Sequence, residues 1–503
     1  MNNDIGLGFA HATSDQQKRT AVLIVDRALA RIRQLLVDGV EAFLARELSP
    51  TSLFAFELAL VAAVRELGRT LLEETLNLLE PDEPATLPLN LRHQGTGYRR
   101  RKEKTCTRHL ATCFGNIVLC RRGYRGWERP EGSIFPLEML LGICHGTTPA
   151  LRDWIGCRMA DTGASQSAVI DWLNNTLSVT MGVKRLRKVT NHVSEALGEL
   201  REEHQVQAVL NLLATAQKSS GCRKPVLSAG RDGITLRQYA NFVFEVATAA
   251  TLTVYDRAGK RLGTIYLAWP LELGQATMDK MLTDLLKEVL RQWEGPLPRL
   301  AYVSDSGSNE TTYYEKTLKR MVHPRTGKRL SWQRVADYYH VSERIWKIAG
   351  ILFGKDSVKA NAWARRMLKA LKKKSGPSRV LHSAACHFRR RKRLSKEKQE
   401  AYEKATNYIR SRTKFMRYDE YAWLHIPLGS GVTEAACKTI FTQRLKLSGM
   451  RWSFEGAKSI LTLRTILLSG TWEATYGHYL ENLYPGDLRP YDRERPQETR
   501  NAA

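Results

Sequence analysis

YVSDSGSNETTYY, residues 302–314, begins at the end of a short apolar run and places an aspartate, a serine and a glycine directly after it. A run of this kind predicts a buried strand, and Gly307 permits the backbone to turn sharply once the strand ends. Asp305 is then expected at the carboxyl edge of a sheet, where a ligand or a metal ion can reach its carboxylate. The stretch therefore predicts a functional edge, provided that other carboxylates converge there.

The surrounding sequence alternates between strand and helix patterns. Three β-rich runs come first, "KPVLSAGRDGITL", "YANFVFEVATAATLTVYD" and "KRLGTIYLAW", and "DRAGK" predicts a hairpin turn between the last two. The helix "TMDKMLTDLLKEVLRQW", the strand "RLAYVSD", a helix from Glu310, the strand "RVADYYH" and the helix "SERIWKIAGILF" follow. This order predicts an α/β core built on a mixed five-stranded sheet.

Two more acids stand at comparable places in this pattern. Asp232 lies at the end of the first strand in "SAGRDGI", and Glu434 opens a helix in "GSGVTEAACK". Two-metal phosphoryl transfer needs such a set, because two Mg²⁺ ions about 3.5–4 Å apart activate the attacking oxygen and stabilise the leaving oxygen. Asp232, Asp305 and Glu434 are therefore candidate catalytic residues and candidate ligands of two Mg²⁺ ions, with Mn²⁺ as a substitute.

Each of these acids also has a simpler interpretation. An aspartate near a glycine at a strand end is most often a turn residue. Glu434 in a first helical turn, with Lys438 four residues later, fits a salt pair favoured by the helix dipole. Taken together with the strand order and the charge, the three acids favour the catalytic interpretation.

The charge balance of the chain points to a polyanionic partner. Among 503 residues, 78 Lys and Arg outnumber 51 Asp and Glu, which gives a formal net charge of +27. Clustered positive charge of this size favours double-stranded DNA as the partner over a protein that is basic only for solubility. None of the eight cysteines forms a Cys-x-x-Cys pair, so they are expected to be free thiols rather than zinc ligands.

The amino-terminal sequence lacks the basic start and apolar core of a signal peptide, and no run reaches the ~18–20 apolar residues of a membrane span. We therefore expect a cytoplasmic, nucleoid-associated protein without a membrane partner. The patterns divide the chain into seven segments: a helical region at 1–85, a basic β-leaning region at 86–147, a helical, helix-turn-helix-like region at 148–222, the first part of the core at 223–353, a basic helical insertion at 354–424, the final helical part of the core at 425–482, and a disordered tail at 483–503.

Basic residues that alternate with aromatic ones, or that begin a helix, are candidates for DNA contact. Lys and Arg neutralise phosphates and aromatic rings stack on bases, although solvated basic faces give the same pattern. The candidates are Arg99, Arg100 and Arg101 in the β-leaning region, Lys184, Arg185, Arg187 and Lys188 in the second helix of the helix-turn-helix-like pair, Arg389, Arg390, Arg391 and Arg393 in the insertion, and Lys438 and Arg444 after the third acid.

The order of strands and acids resembles the ribonuclease-H-like core of DDE transposases, with a helical insertion before the last acid as in Mutator-like and hAT-like members. The stretches "VYDRAGKRLGTIYLAWP", "SDSG", "DYYHVSERIW" and "GSGVTEAACKTIFTQRLKLSGMRW" look like the ISKra-type bacterial insertion-sequence transposases. This resemblance covers about residues 90–475 and is weakest in the first 85.

The resemblance implies that Asp232, Asp305 and Glu434 match the DDE triad. In that family the enzyme hydrolyses a strand at each transposon end, and the freed 3′-hydroxyl then attacks target DNA without a covalent enzyme intermediate. The resemblance also implies a homodimer or higher oligomer on DNA that carries the transposon ends and the target.

Asp337 and His340 match a D-x-x-H element that follows the second acid in related transposases. Their simpler roles are a helix cap for Asp337 and a packed core residue for His340. Relatives often carry Cys-x-x-Cys after the basic hairpin, whereas this chain has "GYRGWERPEG", so a zinc knuckle is not expected.

Two other functions use the same features. A domesticated, non-catalytic transposase would act as a DNA-binding protein, and the presence of all three acids argues against it. A structure-selective nuclease on the same fold would keep the acids, but the long insertion and the helix-turn-helix-like region fit recognition of transposon ends better.

Overall fold

The computed structural model describes residues 13–80, 87–101, 106–127, 132–163, 165–237, 244–391, 394–447 and 450–491. Contacts divide the chain into two compact units, the first made of Met1–Met159, Ala164–Ala196 and Tyr476–Ala503, and the second of Ala160–Gly163 and Leu197–Thr475. The helices and strands in chain order are α1 Ser14–Leu44, α2 Pro50–Leu78, β1 Asn90–His93, β2 Thr96–Arg100, β3 Cys106–Thr112, β4 Gly115–Arg121, β5 Tyr124–Gly126, β6 Ser133–Ile134, α3 Pro136–Leu140, α4 Pro149–Ala160, α5 Gln166–Leu177, α6 Val183–Lys218, β7 Val226–Arg237, β8 Phe244–Tyr255, β9 Arg261–Trp269, α7 Ala276–Gln292, β10 Arg299–Ser304, α8 Ser308–Lys316, β11 Trp332–Ala336, α9 Tyr338–Phe353, α10 Val358–Leu371, α11 Gly376–Arg389, α12 Lys396–Arg412, α13 Tyr418–Trp423, α14 Gly431–Cys437, α15 Phe454–Leu468, α16 Trp472–Asn482 and β12 Arg489–Pro490.

The first unit begins with the predicted helical pair. The Thr13 side chain caps α1, and Ser49 caps α2 in a reciprocal capping box with Ser52. Pro50 occupies the first turn of α2, where its missing N–H costs nothing. The helical region predicted at the amino terminus is therefore two long helices, and the proline-rich stretch after it lies largely outside the described residues.

The basic β-leaning region forms two sheets in the same unit. One has the strand order β12-β1-β2-β5-β6, and the other is the hairpin of β3 and β4. The prediction of a disordered tail is wrong for residues 483–491, because β12 pairs with β1, Leu488 is fully buried and the Asp487 carboxylate accepts hydrogen bonds from residues 93 and 94. The rest of that tail lies outside the described residues.

The predicted break between two helices at 181–182 is also present. α5 ends at a left-handed Ser178, with φ of 54°, and α6 begins at Val183 and runs for 36 residues. Residues 183–196 of it belong to the first unit and residues from Leu197 onward to the second.

The second unit is built on a mixed five-stranded sheet in the order β11-β10-β7-β8-β9. Strands β7, β8 and β9 form an antiparallel meander, and β10 and β11 run parallel to β7. The predicted turn between β8 and β9 is stabilised by the Asp256 carboxylate, which accepts from the N–H groups of Ala258 and Lys260, and Gly259 supplies the positive φ of 84°. The prediction of an α/β core with a mixed five-stranded sheet is confirmed.

Helices cover both faces of this sheet because consecutive residues of its central strands are apolar and successive side chains point to opposite faces. On one face Leu300 and Tyr302 pack with α7 and with the second half of α6. On the other face Ala301 and Val303 pack with α9 and with the helices that follow it. The strand that ends at Asp305 is therefore fixed from both sides.

The predicted basic helical insertion consists of α10, α11, α12 and α13. Its apolar side chains share one core with α9 and the sheet, including Trp363, Tyr402 and Ile409. Within the described part of the chain, no helix combines the length and the apolar character needed to cross a membrane. All eight cysteines are free thiols, as predicted.

Candidate active site

Asp232 and Asp305 are brought together by strand register. Strands β7 and β10 are parallel neighbours in which Val303 lies opposite Gly230. The same register extended by two residues sets Asp305 beside Asp232, and successive odd or even residues share a face. Asp232 lies within β7, which continues to Arg237, so the prediction that it ends the first strand is wrong. The register still places it beside Asp305, at the edge where β10 ends.

Glu434 reaches the same edge on helix α14. The Thr433 hydroxyl makes a 2.7 Å hydrogen bond with the Thr251 hydroxyl of β8, which anchors the first turn of the helix on the sheet. A Cβ atom at Gly230 would overlap the Thr433 hydroxyl, so the glycine two residues before Asp232 permits this close approach. Glu434, 129 positions after Asp305, thus lies at the same edge as Asp305.

The electrostatics of the edge join the three acids. Burial raises the pKa of Asp232, the Gly233 N–H lowers it through a 2.8 Å hydrogen bond, and the negative charges of Asp305 and Glu434 raise it further. The Cys437 thiol on α14 also hydrogen-bonds the Asp232 carboxylate. A bound cation would offset the repulsion among these carboxylates, so the cluster is suited to hold a metal ion.

A fourth acid, Glu310, lies beside the edge and was not identified from the sequence. Its side chain is buried in the first turn of α8, and burial is the first cause that raises its pKa, followed by the charges of Asp305 and Asp232. An acidic residue in a first helical turn is common because the helix dipole favours it, so Glu310 had no sequence signal that marked it as a site residue.

Asp337 and His340 contact the helix that carries Glu434. The Asp337 carboxylate caps α9 by accepting from the His340 N–H at 2.8 Å, and its other oxygen accepts from the N–H and the hydroxyl of Ser430. The helix cap considered for Asp337 is therefore present. His340 is not a packed core residue, because its side chain is 31% exposed and its Nε2 lies 3.4 Å from Glu434 Oε1.

Ser430 links these residues to the third acid. Its hydroxyl lies 2.7 Å from Asp337 Oδ2 and 2.7 Å from Glu434 Oε1. A hydroxyl has one proton, so it donates to one of the two carboxylates at a time. The sequence signal for Ser430 is limited to "GSG", and its partners lie 93 residues before it and four residues after it.

Ligand atoms of Asp337, His340 and Glu434 lie within 4.8 Å of one another, and among the described residues this is the group of three His, Cys, Asp or Glu side chains that meets so closely. The oxygens of Asp337 already accept from three donors, which leaves it less suited to a cation. The triad of Asp232, Asp305 and Glu434 is wider. Two Mg²⁺ ions in such a site are about 3.5–4 Å apart, and each lies about 2.0–2.1 Å from its ligand oxygens. Oxygens that bind different ions can therefore be farther from one another than the ligands of a single ion. Carboxylate oxygens are hard ligands of the kind that Mg²⁺ prefers, and the triad supplies three carboxylates. Glu434 belongs to both groups.

The basic residues of the first unit differ in accessibility. Arg99, Arg101, Lys184, Arg187 and Lys188 are exposed. Arg100 donates to the Leu87 carbonyl. Arg185, predicted to contact DNA, instead donates to the carbonyls of His145 and Gly146, and burial lowers its pKa.

In the second unit, Arg389, Arg390, Arg391 and Lys438 are exposed, and Arg393 lies outside the described residues. No ion pair joins Lys438 to Glu434 in the part of the chain that the structure describes. The prediction that Arg444 contacts DNA is wrong, because Arg444 is 1% exposed and its guanidinium lies 5.1 Å from the centre of the Trp452 ring. Burial lowers the pKa of Arg444 to about 10, and a buried guanidinium does not reach a phosphate.

Sequence reasoning also missed two residues of the insertion that touch the loop after β10. The Tyr408 hydroxyl donates to the Asp305 carbonyl, and the Arg412 guanidinium donates to the Ser306 carbonyl. Both are on α12, more than 100 residues from their partners, and neither lies in a motif.

Compared with known proteins, the chain matches no family model and no curated sequence.

Proposed function

We propose that this protein is a DNA transposase that cleaves the ends of an insertion sequence and joins them to target DNA by two-metal phosphoryl transfer. The observation that carries the proposal is the convergence of Asp232, Asp305 and Glu434 at one sheet edge from positions 73 and 129 residues apart. A fold has no stability reason to gather repelling carboxylates at one edge. Cation-dependent chemistry is a reason.

The strand order supports a ribonuclease-H-like core. Strands β7, β8 and β9 form an antiparallel meander, and β7 is the central strand of the whole sheet. The next two strands, β10 and β11, run parallel to β7, which is the arrangement expected for such a core. The first acid is on the central strand, the second follows the next parallel strand, and the third opens a helix after the insertion. We infer that this chain has the ribonuclease-H-like fold and belongs with the ISKra-type transposases that its motifs resemble.

The residues at this edge of the sheet have two proposed roles, which are to bind the metal ions and to orient the residues that bind them. Asp232, Asp305 and Glu434 would hold the ions, and a bound Mg²⁺ pair supplies the positive charge that activates an attacking oxygen and stabilises a leaving one. Ser430 and His340 approach Glu434 Oε1 at 2.7 and 3.4 Å and orient its carboxylate. Gly307 donates its N–H to Asp305 Oδ1 at 2.8 Å and leaves the other oxygen of that carboxylate for a cation.

DNA is the proposed substrate because the exposed basic residues lie on several elements of a chain with a net charge of +27. Arg389, Arg390 and Arg391 end one insertion helix, and Lys396 begins the next. Each phosphate that such residues neutralise releases counterions from DNA, which makes binding favourable at moderate salt.

A second copy of the chain is the proposed partner of the helical hairpin. Apolar side chains of α1, α2 and their connection face solvent in the first unit, among them Leu44, Leu48 and Phe54 at 75, 82 and 62% exposure. Residues 14–78 carry eight Lys and Arg against nine Asp and Glu, so the hairpin is nearly neutral in a basic chain. A near-neutral apolar surface fits another hairpin of the same kind better than it fits DNA.

The proposal is tested with purified protein, Mg²⁺ and a supercoiled plasmid that carries the DNA flanking the gene on both sides. We expect wild-type protein to nick or cut at the inserted ends and to join them to target DNA. Glu434→Gln is expected to abolish both products, because a neutral amide oxygen binds Mg²⁺ far more weakly than a carboxylate does. Asp356→Asn is the matched control, since Asp356 is exposed in a left-handed turn that Asn also tolerates.

Cleavage that persists in Glu434→Gln would refute the catalytic role of this edge. Cleavage without joining would favour a structure-selective nuclease. DNA binding without either product would favour a non-catalytic DNA-binding protein.

A further inference from the structure

The insertion helix α12 makes direct hydrogen bonds to the loop that carries Asp305. The Tyr408 hydroxyl donates to the Asp305 carbonyl at 2.8 Å, and Arg412 Nη2 donates to the Ser306 carbonyl at 2.7 Å. These are adjacent carbonyls of the segment that turns from β10 into α8. The last turns of an insertion helix therefore touch the backbone of a candidate metal ligand.

The loop has a backbone conformation that needs outside support. Ser306 has a φ of 63° and is 1% exposed. A left-handed residue other than Gly costs about 1 kcal/mol, and such residues persist where their surroundings hold them. Within the loop, the Gly307 N–H donates to Asp305 Oδ1 at 2.8 Å, and the Ser306 N–H has a long contact of 3.3 Å to the Ser304 hydroxyl. The two side chains of α12 supply shorter bonds than this long contact.

Tyr408 and Arg412 are themselves fixed against each other. The Arg412 guanidinium carbon lies 4.1 Å from the centre of the Tyr408 ring, and the guanidinium carbon of Arg344 from α9 lies 5.1 Å from it. A ring that two cations contact is held in one orientation. The Tyr408 phenol has one O–H, which it donates to the Asp305 carbonyl.

We propose that Tyr408 and Arg412 are positioning residues that fix Asp305 for divalent cation binding, which makes the insertion part of the metal site. The inference rests on the proposed function, in which Asp305 is a metal ligand. With both carbonyls held, the Gly307 N–H meets Asp305 Oδ1 and the second carboxylate oxygen keeps one direction. Without these bonds the loop populates other conformations, and cation affinity falls in proportion to the competent fraction.

The experiment compares Tyr408→Phe with Tyr421→Phe. Each variant removes one hydroxyl of the insertion that donates to a backbone carbonyl, at Asp305 for Tyr408 and at Arg334 for Tyr421. The readouts are the affinity of the full-length protein for Mn²⁺, measured by paramagnetic resonance of the free ion, and thermal unfolding. We expect Tyr408→Phe to weaken Mn²⁺ binding by about three- to tenfold, the range for one hydrogen bond, and Tyr421→Phe to leave it unchanged.

Arg412→Gln serves as a second variant, because its amide removes the charge and reaches less far than the guanidinium. If both bonds stabilise the same loop conformation, Arg412→Gln also weakens Mn²⁺ binding, and the double variant binds Mn²⁺ more weakly than either single variant. Unchanged Mn²⁺ binding in Arg412→Gln would overturn the inference for Arg412.

Asp305→Asn separates this inference from the proposed function. If Asp305→Asn weakens Mn²⁺ binding and Tyr408→Phe does not, the positioning role is refuted and the metal site remains. If Asp305→Asn leaves Mn²⁺ binding unchanged, Asp305 is not a ligand and both ideas fail. Equal loss of affinity in Tyr408→Phe and Tyr421→Phe, with equal loss of thermal stability, would show a general weakening of the insertion and would also refute the positioning role.

Discussion

Asp305 and Asp337 occupy equivalent places on the central sheet and have opposite surroundings. Each directly follows one of two neighbouring parallel strands, β10 and β11. Asp337 is fully buried, and its oxygens accept from the His340 N–H and from the N–H and hydroxyl of Ser430. Asp305 is half-buried, and among the described residues one donor, the Gly307 N–H, reaches its carboxylate.

The role of an aspartate at a strand end therefore depends on the hydrogen-bond donors that reach its carboxylate rather than on its position. A buried carboxylate with three donors holds the backbone of two segments together, and removing it leaves those donors unpaired. A carboxylate with one donor keeps an oxygen for a cation. Asp337 still affects the candidate site, because it accepts from Ser430 and Ser430 contacts the Glu434 carboxylate.

The largest expected effect is on the activity of Asp305→Asn. We expect strand cleavage and joining to fall by at least about 1000-fold, since a ligand of the metal pair supplies several kcal/mol and each 1.36 kcal/mol is tenfold in rate. The free energy of unfolding should stay within about 0.5 kcal/mol of wild type, as for other substitutions near the surface. The plasmid assay and urea unfolding measure the two quantities.

Cation removal sharpens the same test. Mn²⁺ or Mg²⁺ should raise the melting temperature of wild-type protein, because a ligand that binds the folded state stabilises it, and chelation should reverse the rise. Asp305→Asn should lose most of this rise while Asp356→Asn keeps it. Retained joining activity in Asp305→Asn would mean that Asp305 is a turn residue, and the contrast with Asp337 would disappear.

The next effect is on the stability of Asp337→Asn. The amide oxygen still accepts from the His340 N–H, but the amide NH₂ then faces the N–H of Ser430, so two donors oppose each other in a buried place. We expect the free energy of unfolding to fall by about 2–3 kcal/mol, the cost of unsatisfied buried groups next to a lost charged acceptor. Urea unfolding measures it, with Asp356→Asn as the control. Loss of Mn²⁺ affinity without loss of stability would identify Asp337 as a metal ligand instead.

The fold of the second unit was predictable from the sequence to a large extent. Apolar runs bounded by turn residues marked every strand of the five-stranded sheet, and Gly259 with Asp256 marked the hairpin. The end of the chain was not predictable, because a stretch such as "LYPGDLRPY" is polar and its order comes from distant partners, among them the pairing of Leu91 with Pro490. Local composition carries no information on such pairing.

The candidate site was predictable in its acids and not in their supports. Asp232, Asp305 and Glu434 follow recognisable strand and helix signals, whereas Tyr408 and Ser430 act through a hydroxyl whose partner the sequence does not indicate. Arg444 shows the reverse failure, since an arginine in a basic motif gives the same pattern whether it faces DNA or lies buried beside Trp452. Packing decides these cases, and packing depends on residues far away in the chain.

The smallest expected effect is that of Ser430→Ala, which tests whether Asp337 acts on the edge through Ser430. The change removes one hydroxyl and keeps the Ser430 N–H that Asp337 accepts, so the free energy of unfolding should fall by only about 1 kcal/mol. Glu434 loses its 2.7 Å partner and keeps His340, so its carboxylate is less well oriented and joining should fall by about 10- to 100-fold, as for residues that orient a metal ligand. Ser342→Ala is the control, since that hydroxyl has its hydrogen bonds with Tyr338 of its own helix. If Ser430→Ala and Ser342→Ala behave alike in the plasmid assay, Asp337 and Asp305 belong to separate structures that happen to share a sheet, and the network that joins them has no catalytic role.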